Sequence, residues 1–118
     1  MVTEKTVVID GKEVKFKATA RTPRIYRTMF GRDMFQDMRK LQESFAGREE
    51  GEKDLSVIDL TLFENVAYTM AKHADPGIED TPDEWLETFA MFSIYQVLPE
   101  ILQLWNASNG TLSNPKKK

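Results

Sequence analysis

Cysteine is absent from the 118 residues, which excludes disulfides and thiolate metal sites and fits a reducing compartment such as a cytoplasm. Histidine occurs once, as His73. A general base or metal ligand needs convergent partners, and the nearest, Asp75, stands in a turn signal; a surface histidine at a helix C-terminus, well placed on the helix dipole, is the expected role. The apolar runs are only a few residues long, far short of a membrane span. The N-terminal MVTEKTVVID has no apolar h-region and so does not read as a secretory signal. No glycine-rich phosphate loop, Ser-centred nucleophile motif or internal repeat is present. The acid pairs Glu49/Glu50 and Asp83/Glu84 are adjacent in sequence, in a loop and a helix first turn, and read as solvation and capping instead of a catalytic dyad. No enzyme activity, metal or cofactor is expected, and no membrane partner.

What is present is an ordinary globular balance: 41% hydrophobic and 30% charged residues, enough for one core and too few residues for two. Residues 1–106 read as one domain and 107–118 as a basic, disordered tail. The net charge of −3 hides an asymmetry. Residues 1–32 carry eight Lys/Arg and three Asp/Glu, whereas residues 33–118 carry eight and sixteen, three of those eight being Lys116–Lys118. The basic part either folds against the acidic part or offers a face to an acidic partner. Arg21, Arg24, Arg27 and Arg32 concentrate that charge, and Arg24 and Arg27 are its candidate docking residues. Without interleaved aromatics or a recognisable motif, nucleic acid is the less favoured partner.

The pattern predicts an α+β fold, mostly α: an N-terminal β-hairpin followed by four to five helices. Thr6–Ile9 and Glu13–Thr19 flank Asp10-Gly11-Lys12, in which Asp-Gly supplies the positive-φ tolerance a tight turn needs, and Val14/Phe16 alternate with Lys15/Lys17. Such a hairpin must pack on helices or pair with another chain through its edges. Thr22 and Pro23 open a short helix ending at Gly31. Asp33 caps a helix over 34–46 with Met34, Phe35, Met38, Leu41, Gln42 and Phe45 at helical spacing, closed by Gly47. The charged run 48–54 reads as a loop. A third helix starts near Asp59 or Thr61, with Thr61/Glu64 as a capping box and Leu60, Phe63, Val66, Ala67, Met70 and Ala71 on one face, and stops before Asp75-Pro76-Gly77. Thr81-Pro82-Asp83-Glu84 opens the last helix, expected to run from Trp85 to Asn106 with a kink or split at Pro99. The core is expected to hold Val14, Phe16, Ile25, Phe30, Phe35, Leu41, Phe63, Val66, Trp85, Phe89 and Leu98.

From Trp85 to Trp105 the apolar residues wrap most of the way round a helix, so that segment is either the central helix or partly a partner surface. Phe92, Tyr95, Leu102 and Trp105 are the candidate partner contacts. Met29, Met34, Met38, Met70 and Met91 suit irregular core gaps or adaptable surfaces.

The segments Ala20–Asp33 (ARTPRIYRTMFGRD), Phe63–Lys72 (FENVAYTMAK), Asp80–Glu87 (DTPDEWLE) and Val97–Trp105 (VLPEILQLW) resemble, in order, the tail assembly chaperones of long-tailed phages and prophages of Gram-positive bacteria. The resemblance spans roughly residues 5–106 and carries no catalytic motif. It implies a protein that works in the host cytoplasm, binds the helical tape-measure protein, keeps it soluble until tail-tube subunits polymerise around it, and is absent from the mature virion. It also implies a longer, frameshifted form as the route to the tail-tube protein, for which Lys116–Lys118 is suggestive. Self-association in the absence of the partner is expected from the apolar surface. The alternatives are a nucleic-acid-associated regulator and a structural head–tail or tail component.

Overall fold

The computed structural model describes residues 3–46, 57–91 and 93–113. Its order is strand β1 (Thr3–Ile9), strand β2 (Lys12–Ala18), helices α1 (Thr22–Phe30), α2 (Met34–Ala46), α3 (Val57–Ala74) and α4 (Pro82–Leu86), a 3-10 turn (Ile94–Val97), and helix α5 (Leu98–Ser113). The expected mostly helical α+β architecture with an N-terminal hairpin is present. Gly47, the 48–54 run and residues 114–118 lie outside the described residues.

β1 and β2 pair antiparallel from Thr3↔Ala18 to Ile9↔Lys12. Asp10 and Gly11 both have positive φ, 55° and 77°, the signature of a type I′ turn whose twist matches the flanking strands. The pleat sends Ile9, Phe16 and Ala18 into the core and leaves Glu13 and Lys15 outside. The inner face packs against α3 and α5, which gives the hairpin the support that two strands lack alone.

Gly31 ends α1 in the left-handed region, its N–H donating to the Arg27 carbonyl at 2.8 Å, and Asp33 Oδ1 accepts from the Phe35 N–H at 2.9 Å to start α2. The start of α1 differs from expectation. Arg21 occupies the cap position, and the buried Thr22 hydroxyl accepts from the Thr19 N–H at 2.8 Å. It thereby ties the end of the hairpin to α1 and leaves Pro23 in the first turn.

α3 begins at Val57, so Thr61 and Glu64 lie inside it and form no capping box; Glu64 instead accepts from the Tyr95 hydroxyl at 2.6 Å. Leu62, Phe63 and the unbroken run Val66–Ala71 are buried. Burial on every side identifies α3, not the C-terminal segment, as the central helix. Its polar groups are matched: Thr69 donates to the Asn65 carbonyl and Tyr68 to the Glu79 carbonyl, at 2.8 and 2.6 Å. Lys72 Nζ closes its C-terminal turn on the Pro76 and Ile78 carbonyls, both at 2.9 Å. Asp75 forms the expected turn, accepting from the Gly77 N–H at 3.0 Å.

Thr81 caps α4 as expected, accepting from the Glu84 N–H at 3.2 Å. The segment expected to run from Trp85 to Asn106 with a kink or split at Pro99 is divided: α4 stops at Leu86, the described residues between 87 and 93 are not helical, and α5 starts at Leu98 and continues to Ser113. Pro99 does not kink it. It sits in the first turn of α5, where its missing N–H would have had no intrahelical acceptor.

Of the expected core, Phe16, Leu41, Phe63, Val66, Trp85 and Leu98 are buried, whereas Val14, Ile25, Phe30 and Phe89 are half-buried. Phe35 is 46% exposed. Its neighbours Met34, Met38 and Leu41 take the inward face of α2, leaving Phe35 at the boundary. Phe45 is outside the described side chains. Trp85 anchors the far side of the core, edge-on to Tyr68 at 5.7 Å and to Phe89 at 5.1 Å between ring centroids.

Candidate functional site

Two polar clasps decide which apolar side chains reach the surface. The first fixes the α1–α2 corner. Asp37, 2% exposed, accepts from the Tyr26 hydroxyl at 2.6 Å and takes Arg32 in a two-pronged pair at 2.7 and 2.8 Å. Burial pushes the Asp37 carboxyl up, but the hydrogen bonds from Arg32 and Tyr26 outweigh it and hold the group below its ordinary value. Burial and the neighbouring carboxylate push the Tyr26 hydroxyl strongly up, so it stays a donor. With this corner rigid, α2 turns Phe35 outward, its ring 5.2 Å from that of Trp105 on α5. Gln42 donates to Asn106 at 2.7 Å in a second link between the same two helices.

The second clasp is the hairpin turn itself. Asp10 Oδ2 accepts from the Ala90 N–H at 2.7 Å, and Oδ1 accepts from the Ser93 hydroxyl. Lys12 donates to the Thr88 carbonyl at 3.0 Å and stands 4.9 Å over the Phe89 ring. The hydrogen bonds from Ser93 and Ala90 hold the Asp10 carboxyl below its ordinary value. These contacts satisfy backbone groups freed where the helix breaks, and the resulting bend leaves Met91 77% exposed.

The candidate partner residues are distributed unevenly. Phe92 lies outside the described residues. Tyr95 is half-buried, its ring 6.0 Å from Phe63 and its hydroxyl, pushed up to about 12 chiefly by the hydrogen bond to Glu64, directed inward. Leu102 and Trp105 are buried, with Trp105 lying beneath Phe35. Arg24 and Arg27 are exposed on α1 and make no ion pair among the described residues, unlike Arg32. Met34, Met38 and Met70 fill the core, while Met29 and Met91 are exposed.

His73 is not the free surface histidine expected. It is half-buried, with Nε2 2.8 Å from the Thr19 hydroxyl. Burial, followed by the nearby Lys17 and Arg21 charges, lowers its pKa from the ordinary value and disfavours the charged form. Among the described residues there is no group of three His, Asp or Glu placed to hold a metal ion, and no helix long and apolar enough to cross a membrane.

Among the described residues the exposed large apolar side chains are Phe35, Met29, Met91 and Val8. Periodicity drew attention to the aromatic residues of the C-terminal segment, but exposure passed to Phe35, one residue from the strongly buried Met34. The available signal was the crowding of apolar positions on α2, where one stripe could not hold Met34, Phe35, Met38 and Leu41 together. No family model, curated protein or solved structure matches this chain.

Proposed function

We propose that this chain is a tail assembly chaperone of a long-tailed phage or prophage: it binds the helical tape-measure protein in the host cytoplasm, keeps it soluble, helps recruit tail-tube subunits and leaves before the virion is complete. The four segments that resemble those chaperones support the reading, as does a surface that offers large apolar anchors. The observation that carries it is Phe35, an exposed aromatic backed by the buried Trp105 ring. A rigidly supported aromatic loses little conformational freedom on docking against the apolar stripe of a helix.

Co-expression with the tape-measure protein tests this, scoring soluble complex and melting temperature. Phe35→Ala is expected to weaken capture by about 1–3 kcal/mol while leaving the melting temperature nearly unchanged. Trp105→Ala should lower stability first, because it opens the core beneath. Unchanged capture by both Phe35→Ala and Met91→Ala would remove the apolar-anchor argument. Arg24 and Arg27, exposed and without an ion pair among the described residues, favour the second reading, a nucleic-acid-associated regulator. A salt-dependent gel shift at micromolar protein, abolished by replacing both arginines, would select it.

A further inference from the structure

We infer that the outer edge of β2 pairs antiparallel with β2 of a second copy of this chain about a two-fold axis at Val14, joining two hairpins into one four-stranded sheet. The argument starts from register. A two-residue turn makes Ile9↔Lys12 a hydrogen-bonded pair, and alternation makes Val7↔Val14 and Lys5↔Phe16 the next ones. Glu13, Lys15 and Lys17 therefore direct their backbone N–H and C=O groups away from β1. Among the described residues nothing accepts or donates to them.

A cleft borders that edge: about 260 Å³ in volume, it runs along four consecutive strand residues, Lys12 to Lys15, with Ala71, Ile78 and Phe89 among its apolar wall residues. A cleft that touches successive residues from both faces of a strand borders its edge.

Charge identifies the occupant. On the outer face Glu4 stands opposite Lys17, but Glu13 stands opposite Val8 and Lys15 opposite Thr6. Glu13 and Lys15 are exposed and make no ion pair among the described residues. Antiparallel pairing about Val14 places Glu13 of each copy directly across from Lys15 of the other, twice, in the hydrogen-bonded positions their backbones require. It also brings the two Val14 side chains together on the inner face. Shifting the axis to Lys15 opposes two lysines at its centre even though it sets Glu13 against Lys17, and shifting it to Glu13 opposes two glutamates. Among these axes only the Val14 axis combines correct backbone parity with opposed Glu13 and Lys15 and no like-charge pair. The β1 edge has no such complementarity, since its outward groups belong to Glu4, Thr6 and Val8, and Lys5 is already engaged by Glu100 and Gln103 of α5.

This proposal does not rest on the chaperone reading, and its test uses the isolated full chain. Sedimentation equilibrium should show a dimer for the natural sequence. Glu13→Lys and Lys15→Glu, each alone, should raise the dimer dissociation constant at least tenfold, because every new pair has like charges. An equimolar mixture of the two single variants should recover a dimer, as should the double variant, because each altered charge again meets its opposite. Recovery in the mixture also shows that both variants fold. A monomer at every accessible concentration, a dimer indifferent to the single reversals, or a mixture of folded variants that stays monomeric would each overturn the inference. Phe35-dependent tape-measure capture is scored separately, so either result can fail without the other.

Discussion

α3 and the 85–105 segment have similar apolar content and opposite fates. In α3 the run Val66–Ala71 is buried on all sides and the helix is continuous from Val57 to Ala74. The 85–105 segment is equally rich in large apolar residues but is divided into α4, a 3-10 turn and α5. Apolar residues all round a helix thus report burial, not continuity. α3 is surrounded by the hairpin, α1, α2 and α4, so every face has a wall and a straight cylinder satisfies them all. The later segment must cover Trp85 at one end and Trp105 at the other, and the Asp10–Lys12 turn supplies polar partners for a bend between them.

The largest test of that contrast is a matched truncation. Phe63→Ala in α3 should cost about 3–5 kcal/mol, since its side chain is fully buried and its neighbours cannot collapse onto the void. Phe89→Ala, at a half-buried site on the bend, should cost clearly less. Chemical denaturation of both variants measures the difference, and equal losses would place the two regions in one equally dense core.

A smaller effect is expected at the α1–α2 corner. Asp37→Asn removes the charge held by Arg32 and leaves the Tyr26 hydroxyl with a poorer acceptor, at a cost of about 1–3 kcal/mol. The loss is limited because Arg32 is partly exposed and regains water. The pH dependence has a definite sign. The folded-state pKa of Asp37 is below its ordinary value of 3.8, so below that pH the unfolded chain binds the proton more readily. The contribution is complete above 3.8 and is lost as pH falls through the folded value. Denaturation at pH 7 and at pH 3 should show the natural sequence losing more of its stability than Asp37→Asn does; parallel losses would assign acid sensitivity elsewhere.

The smallest effect is the most discriminating for the bend. Pro99→Ala should change stability by less than about 1 kcal/mol, because Pro99 already occupies a first-turn position that suits its fixed φ. In a continuous helix the same change would relieve a kink and stabilise by about 3 kcal/mol. Thermal melts of the two proteins separate these cases.

Local chemistry was legible wherever one residue type has a single low-cost conformation. Asp10-Gly11 announced the hairpin, Gly31 the end of α1, Asp33 the start of α2, and Thr81-Pro82 with Glu84 the start of α4. The second Thr-Pro pair shows where such reading stops. Thr22 has the same local signature as Thr81, yet its hydroxyl turns back to Thr19 because the chain arrives from a strand packed on α3.

The sequence by itself determined the hairpin, the α+β class and the separation of charge along the chain, because turn geometry, strand alternation and helix capping act over a few residues. Only the tertiary structure decided that α3 is the central helix, that Phe35 instead of Trp105 faces outward, that His73 is half-buried against Thr19, and that the last apolar segment breaks around Asp10. Each of those outcomes depends on a partner many residues away. Periodicity shows that a side chain needs burial, but not which of several apolar surfaces will supply it or which will be left uncovered.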